Sequence, residues 1–286
     1  MALTINTNML SLYAQNNLNK SQSSLSNALQ QLSSGLRVQS AASDASGYYT
    51  SQLMTGDING MGQAVRNAND GVSLAQTAGG AMQQVSDSLQ RINQLAVEAA
   101  NGTVSSAARN GIQKEVNQLT QQITQIVQTT KYAGTALLSG SNNSITFQVG
   151  QNGSASDQIT ATGVNLGQSG GSNKLHAVGT SLTATKTIDV STQSAASAAI
   201  TNVQSDIKTV AAESATFGAI QNRFNSVVAN LTNAQQNLTS ARSTIVDTNY
   251  AAQTAALSRA QILQQAGVSM LAQANTIPQL ALKLLG

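Results

Sequence analysis

The sequence predicts a mainly α fold, a long antiparallel helical bundle or coiled coil with a small β-hairpin-rich insert in the middle of the chain. Three observations support this prediction. Apolar residues recur at heptad spacing through most of the last third of the chain, and a second apolar stripe lies near its start. Between them lies a glycine-rich stretch in which apolar and polar residues alternate.

The last third of the chain carries the clearest repeat. Gly218 and Gly267 are its only glycines before the last residue, so the sequence predicts a helix from Ala195 onward. Such a helix would reach roughly 130 Å if unbroken, and it could not bury its apolar stripe without a partner helix. Pro278 is expected to break the helix register. The predicted rod heptad seam consists of Val203, Val210, Phe217, Phe224, Leu231, Leu238 and Ile245.

The start of the chain shows a shorter leucine stripe. Leucines at positions 18, 25, 29, 32 and 36 predict a helix from about Asn8 to Ser33, which Gly35 would end. From Leu36 to Gly60 the periodicity is lost, and glycines and tyrosines accumulate. This stretch is therefore predicted to be an extended connection.

Two further helices are predicted before the insert. The first has apolar residues at helical spacing from Val65 to Ala99, and the second from Ile112 to Ile126. Asn101-Gly102 is expected to supply the left-handed residue of a helix end. Because the loop is short, the two helices should form an antiparallel hairpin.

The insert is predicted to contain short strands at Ile145–Val149, Gln158–Thr162 and Thr187–Val190. It should be a surface feature, so replacing Ser154–Ser172 with a linker should cost little. The predicted division of the chain is 1–40 for an amino-terminal coiled-coil segment, 41–140 for the helical hairpin, 141–194 for the insert, 195–245 for the rod helix and 246–286 for a carboxy-terminal coiled-coil segment.

Composition excludes several classes of function. Charged residues make up 9 % of the chain, and its net charge of +3 includes no Lys/Arg cluster, so no nucleic-acid binding is expected. The absence of cysteine excludes disulfides and thiolate metal sites. No apolar run approaches the roughly 20 residues of a membrane span, so no membrane insertion is expected, and the start lacks the pattern of a cleaved signal peptide.

No catalytic, metal-binding or cofactor-binding residues can be proposed. His176 is the single histidine and has no acidic partner at a recognisable spacing, so it is interpreted as a surface residue. The acidic residues are scattered singly, which provides no carboxylate pair or calcium loop. The sequence therefore predicts no cofactor and no enzymatic activity.

Several motifs closely resemble bacterial flagellin over residues 1–140 and 195–286. They include Thr4–Asn8, Leu32–Arg37, Leu89–Ile92, Leu95–Val97, Gln221–Phe224, Leu238–Arg242, Ser258–Gly267 and Leu271–Asn275. Some charged positions of the family carry other residues here, such as Asn93-Gln94 and Val246–Tyr250. The middle of the chain is also shorter than in long flagellins, so large outer domains are not expected.

The resemblance implies a structural subunit that polymerises with copies of itself into the flagellar filament for motility. Its terminal helices would form the inner tube. Because the apolar stripes from Leu10 to Leu36 and from Ile245 to Leu285 lack partners in a monomer, we expect these ends to be disordered there and to fold only in the polymer. The implied self-assembly core is Leu18, Leu25, Leu29, Leu32, Leu36, Ile262, Leu263, Met270, Leu271, Leu280, Leu282, Leu284 and Leu285.

The resemblance also implies partners and a location. The subunit would be secreted by the flagellar type III route without a cleaved signal peptide and would lie outside the cell. Its partners would be an export chaperone at the carboxy-terminal segment, hook-associated and cap proteins, and a Toll-like receptor of the host. The residues that match the receptor motif are Leu89, Gln90, Arg91, Leu95 and Glu115.

Two alternatives remain open at this point. A hook-filament junction protein or a type III secretion tip or needle protein uses similar terminal coiled coils but assembles in short rings or at a tip. A soluble coiled-coil adaptor would remain a discrete oligomer.

Overall fold

The structure, a computed structural model, describes residues 8–139, 144–167, 175–177 and 188–285, with side chains described up to residue 276. The chain divides into two compact units. We call Met1–Ile58 with Gln236–Gly286 the terminal unit, and Asn59–Gln235 the central unit. The helices are α1 (Met9–Ser34), α2 (Ala45–Ala100), α3 (Ser106–Thr129), α4 (Gln193–Val246) and α5 (Tyr250–Leu285).

In the terminal unit, α1 pairs with α5. The Asn8 side chain accepts a hydrogen bond from the Ser11 N–H and donates one to the Ala274 carbonyl, while Leu18 contacts Gly267 and Leu36 forms a bridge with Asp247. The two helices are therefore antiparallel. Gly35 ends α1 in the left-handed conformation, as predicted. The described residues of both stretches form helices, and the disorder of these ends in the monomer stays a prediction.

The prediction of an extended connection over 36–60 is wrong, because α2 begins at Ala45. Asp44 caps the helix: its Oδ1 accepts a hydrogen bond from the Gly47 N–H at 2.9 Å, and its backbone carbonyl accepts one from the Tyr48 N–H at 2.9 Å. The hydroxyls of Ser51 and Thr55 donate to carbonyls of the preceding turn. These local hydrogen bonds satisfy the polar side chains that obscured the helical pattern.

The single long helix predicted from Ala195 is interrupted at residues 247–249. The Val246 carbonyl accepts hydrogen bonds from the N–H groups of Arg37 and Val38, and Thr248 N–H donates to Gly35 O at 2.9 Å. The side chain of Asn249 then caps the start of α5. Contacts with the segment after α1 therefore replace the helical hydrogen bonds at this point. The break predicted at Pro278 does not occur, since α5 continues to Leu285.

The central unit contains the predicted hairpin of α2 and α3, and α4 runs antiparallel to α2. Gly102 lies near Gln193, Gly71 near Phe224 and Gly62 near Gln235, which fixes the direction of α4 relative to α2. The Phe224 ring lies so close to Gly71 that a Cβ there would be 2.3 Å from its Cζ atom. On the strand β3 (Ser144–Gln148), Phe147 meets the same ring edge-on, with centroids 5.3 Å apart.

The turn between α2 and α3 differs from the predicted one. Among the described residues, only Gly35, Ala133 and Gly134 have positive φ, so neither Asn101 nor Gly102 is left-handed. Arg109 ends α2 instead, because its guanidinium donates hydrogen bonds to the carbonyls of Ala99 at 2.7 Å and Asn101 at 2.9 Å. A cation at a helix C-terminus also favours the helix dipole.

Within the described ranges, four short strands form two antiparallel pairs. The predicted strands over 145–149 and 158–162 appear as β3 and β4 (Gln158–Thr162), which pair with each other. The hairpin of β1 (Lys131–Tyr132) and β2 (Thr135–Ala136) was not predicted. Its two turn residues, Ala133 and Gly134, have φ of 47° and 85°, the signature of a type I′ turn.

The described part of the predicted strand Thr187–Val190 is not a strand. The buried side chain of Gln113 binds this segment to α3. Its Nε2 donates to the Ile188 carbonyl at 2.8 Å, and its Oε1 accepts from the Val190 N–H at 2.6 Å. A side-chain amide therefore provides the hydrogen bonds that a neighbouring strand would otherwise provide.

The insert shares the hydrophobic core of the helices. Phe147, Ile159 and Leu166 belong to the same buried cluster as Leu89 and Phe217. This contradicts the premise that Ser154–Ser172 is a surface feature that can be replaced at little cost. Its described part would take several buried side chains with it.

His176 is a surface residue, as predicted, with 47 % of its side chain exposed, but it does have an acidic partner. Its Nδ1 lies 2.7 Å from Oδ1 of Asp206, which is only 1 % exposed and also accepts hydrogen bonds from the N–H groups of His176 and Ala177. Burial raises the pKa of the Asp206 carboxyl, although the three hydrogen bonds oppose this shift. Because the folded-state pKa is raised, the stability that this group contributes is greatest in acid and is lost as the pH rises through that pKa.

We expect the contact between Phe224 and Gly71 to be sensitive to a single methyl group. Gly71→Ala should destabilise the central unit, because a clash of about 1–3 kcal/mol exceeds the roughly 1 kcal/mol that alanine gains in a helix. Gly79→Ala on the same helix meets no atom within 4 Å and should be stabilising by about 0.5–1 kcal/mol. Urea midpoints followed by circular dichroism test both variants. Equal stabilisation by both would show that the Phe224 ring moves aside freely.

Candidate functional site

The exposed large hydrophobic residues of the described chain are concentrated in one unit. All of them except Val97 belong to the terminal unit. We call them the exposed apolar set: Met9, Leu10, Leu12, Tyr13, Leu29, Tyr49, Leu53, Tyr250, Ile262, Leu263, Val268 and Met270. So much exposed apolar surface in one part of a molecule is typical of an interaction site.

The terminal unit buries few side chains. Its buried residues, among those described, are Ala28, Val38, Ser51, Val246, Ala260 and Ala274. Half of these are alanines, which let helices approach closely but contribute little apolar area. The large buried side chains, such as Phe217 and Leu89, all lie in the central unit. The pair of α1 and α5 is therefore a thin layer without a core of its own.

A groove of about 740 Å³ lies along this helix pair. Its lining is mainly apolar, and Leu10, Leu263 and Met270 contribute to it. Two cations, Lys20 and Arg259, stand among these residues. Neither α1 nor α5 contains an Asp or Glu residue, so every charged side chain on this helix pair is positive.

The implied self-assembly core separates into three groups. Leu29, Ile262, Leu263 and Met270 are exposed, with fractions from 50 % to 66 %. Leu18, Leu25, Leu32, Leu36 and Leu271 are half-buried. The side chains of Leu280, Leu282, Leu284 and Leu285 lie outside the described residues.

Sequence reasoning missed other residues of the exposed apolar set. Met9, Leu12 and Tyr13 precede the leucine stripe on α1, and Val268 and Tyr250 lie on α5. The prediction was based on one apolar stripe on each helix. The apolar residues on the other faces of these helices are the signal that would have identified them, because a helix that is apolar on several faces predicts burial on several sides.

The rod heptad seam is buried over its first part. Val203, Val210, Phe217 and Phe224 are at most 2 % exposed. Leu231, Leu238 and Ile245 are half-buried, and Val246 is buried next to the last of them. The buried four residues belong to the hydrophobic core of the central unit, so this part of the seam stabilises the fold.

The five residues of the receptor motif are not all accessible. Leu89 and Leu95 are buried in the core, at 0 % and 2 % exposure. Gln90, Arg91 and Glu115 are exposed. The Nε and Nη2 atoms of Arg91 both donate to Oε1 of Glu115, at 2.9 Å and 2.8 Å. The guanidinium is therefore already engaged by a carboxylate from α3.

The described residues offer no clear centre for chemistry. Within them no group of three or more His, Cys, Asp or Glu side chains could hold a metal ion. None of the described helices is both long and apolar enough to cross a bilayer. What the geometry offers is an extended apolar surface on paired helices.

Two family models match this chain. The bacterial flagellin N-terminal helical region matches residues 5–143, and the bacterial flagellin C-terminal helical region matches residues 200–285. The first includes α1, α2 and α3, and the second includes most of α4 and all of α5.

Similar proteins match along their whole length. Flagellin 1 of Proteus mirabilis is 37 % identical and Flagellin B of Vibrio cholerae is 32 % identical, each covering 100 % of both chains. A solved structure described as a flagellar hook-associated protein from Vibrio parahaemolyticus has a TM-score of 0.58 at 12 % identity, covering 71 % of this chain and 99 % of that one. The last likeness shows the fold alone and does not favour the hook-filament alternative. The two family models and the full-length relatives show that the chain belongs to the bacterial flagellin family and is a structural subunit of the extracellular flagellar filament.

Proposed function

We propose that the pairs of α1 and α5 from neighbouring copies pack together and form the inner tube of the filament. The observation that carries this proposal is the concentration of the exposed apolar set on a unit that lacks a core of its own. A second copy of the chain presents the same apolar helices in the same arrangement. A helical polymer repeats one such contact without limit.

The energy available from this packing is large. Complete burial of one Leu, Ile or Met side chain contributes about 1.5–3 kcal/mol. Leu263 and Met270 line the groove, and Ile262 is 66 % exposed on the same helix. Several such side chains per copy would outweigh the entropy that a subunit loses on joining a filament.

The rest of the chain would then face outward. We propose that α2 and α3 form an outer helical layer with residues 195–245, and that residues 141–194 lie farthest from the filament axis. Segments 1–40 and 246–286 are the parts assigned to the tube. The well-packed central unit supports this division, because its large apolar side chains are buried without contacts from other copies.

We also propose that an export chaperone covers the carboxy-terminal segment before assembly. Ile262, Val268 and Met270 are exposed on α5, and such a surface on a free subunit favours aggregation. Because the terminal unit buries few side chains, local unfolding for passage through the flagellar type III route costs little. Hook-associated and cap proteins would meet the same helices at the filament ends.

Recognition by a Toll-like receptor of the host is a further proposal, and it rests on three residues. Gln90, Arg91 and Glu115 are exposed on neighbouring helices and form a polar patch. Leu89 and Leu95 would act only through the core that supports this patch. A receptor carboxylate could replace Glu115 as the partner of Arg91 in a desolvated contact.

Limited trypsin digestion tests the low stability of the terminal helices. In the monomer, cleavage should occur first after Lys20 and Arg259, because α1 and α5 open at low free-energy cost. Arg91 and Lys114 are equally exposed but lie on helices with a buried core, so they should be cut later. In filaments the first two sites should be protected. Equal protection in both states would contradict packing of these helices between copies.

A substitution on α5 tests the tube contact. Ile262→Ala removes about 2 kcal/mol of buried apolar surface from the polymer and should raise the critical concentration about 30-fold, with no change in monomer melting. Val97→Ala, at the exposed hydrophobic residue of the central unit, is the matched control. Seeded elongation followed by light scattering measures both. An equal increase for the control would remove the special role of the terminal unit.

A reporter-cell assay tests the receptor proposal. Arg91→Ala should reduce signalling by at least about tenfold, as expected for a central arginine of an interface. Arg66→Ala provides the control, since Arg66 is an exposed guanidinium on the same helix that binds only the neighbouring Gln63 in the described structure. Unchanged signalling by the Arg91 variant would exclude this role.

A further inference from the structure

Four Asn-Gly pairs occur in this chain, at Asn59, Asn101, Asn110 and Asn152. This dipeptide is prone to deamidation, because glycine leaves the following backbone nitrogen unhindered when it attacks the asparagine side chain. All four asparagines are exposed to solvent. Differences in solvent exposure therefore cannot separate the four sites. The backbone conformation around each pair determines which of them can react.

Two of the pairs are held in helices. Asn59 lies within α2 and Asn110 within α3. In an α-helix the N–H of the following glycine donates to the carbonyl four residues earlier, and the backbone geometry keeps this nitrogen away from the asparagine side chain. Deamidation at these positions requires local unfolding first.

The pair Asn101-Gly102 lies in the turn between α2 and α3, outside both helices. The Asn101 side chain folds back over this turn, and its Oδ1 accepts a hydrogen bond from the Thr103 N–H at 3.2 Å. This Asx arrangement brings the side-chain carbonyl next to the Gly102 nitrogen. The Thr103 N–H also stabilises the negative charge that develops on Oδ1 of Asn101 when the Gly102 nitrogen attacks Cγ.

We propose that Asn101 is a site of spontaneous deamidation in the folded protein. The Gly102 nitrogen loses its proton and forms a bond to Cγ of Asn101, and the side-chain nitrogen leaves as ammonia to give a succinimide. Water then adds to either carbonyl and opens the ring to aspartate or isoaspartate. The net reaction consumes one water and releases one ammonia, and no oxidant or cofactor takes part.

The product places a carboxylate in this turn. Arg109 already donates a hydrogen bond to the Asn101 carbonyl at 2.9 Å, so the new negative charge forms beside a cation. The net charge of the chain falls by one from its formal value of +3. Isoelectric focusing can therefore separate the modified form from the original one.

Asn152 provides an internal comparison. It lies in an irregular loop, and Gln148 donates a hydrogen bond to its backbone carbonyl. No hydrogen bond to its side-chain oxygen is found within the described residues. We therefore expect Asn152 to react more slowly than Asn101 and faster than the two helical pairs.

The experiment ages the full chain at mildly alkaline pH, native and in urea, and follows each site by mass spectrometry of tryptic peptides. Cleavage after Lys and Arg places the four pairs in four different peptides, so each rate is measured separately. In urea all four should react at similar rates. In the native protein, the deamidation rates at Asn59 and Asn110 should be at least about tenfold lower than in urea, whereas the rate at Asn101 should be unchanged. Slowing of Asn101 as strong as that of the helical pairs would overturn the proposal.

A matched pair of variants tests the chemistry itself. A Cβ at position 102 would meet only Gln193 Nε2, at 3.7 Å, so Gly102→Ala should fold normally. Its methyl group hinders the attacking nitrogen and should slow the loss of ammonia at Asn101 at least about tenfold. Gly111→Ala meets no atom within 4 Å and should leave the Asn101 rate unchanged. Equal Asn101 rates in the two variants would exclude attack by the Gly102 nitrogen.

Discussion

The structure depends on an imbalance in apolar burial between its two units. The central unit encloses large side chains such as Phe217, Met82 and Leu74, whereas the buried residues described in the terminal unit are three alanines, two valines and one serine. A single chain therefore completes one hydrophobic core and leaves the other open. The core of the central unit stabilises the subunit, whereas the exposed apolar surface of the terminal unit is available for the proposed contacts between copies.

Close packing and buried polar contacts hold the central unit together. Phe224 lies between Gly71 of α2 and Phe147 of β3, so one aromatic ring joins a helix of the hairpin, the long helix and the insert. Gln113 and Asp206 bind segments of irregular backbone through their side chains. Such contacts satisfy buried N–H and carbonyl groups that have no secondary-structure partner.

Much of the fold could be predicted from the sequence, and the failures have two physical causes, one local and one involving contacts distant in the chain. Periodicity located α1, α3 and the first part of the heptad seam, because these helices are amphipathic over many turns. The start of α2 was missed because Asp44 and the back-bonding hydroxyls act locally, within a stretch rich in glycine. The break after Val246 depends on hydrogen bonds from Arg37 and Val38, far away in the chain. Single-sequence periodicity contains no information on such contacts.

The site was predicted unevenly for the same reason. Ile262 and Leu263 were identified from the family motif and are exposed, but Leu89 and Leu95 proved to be core residues of the helical hairpin. The contact between His176 and Asp206, thirty residues apart in the chain, could not be inferred from spacing. A sequence motif gives residue types, but the exposure of each side chain depends on the folded structure. The motif alone therefore does not show which of its residues a partner can contact.

The helix pair of α1 and α5 carries few charged residues, and this affects how easily copies of it can pack together. Every charged residue of α1 and α5 is positive, so any two of them that met in the proposed contact between copies would repel each other. Two like charges 4 Å apart repel by about 4 kcal/mol at an effective dielectric constant of 20, more than one buried leucine contributes. Lys20 and Arg259 are the charged residues of α1 and α5 within the side chains described. With so few cations, and amides and hydroxyls elsewhere on these helices, apolar contact between copies is opposed by little repulsion.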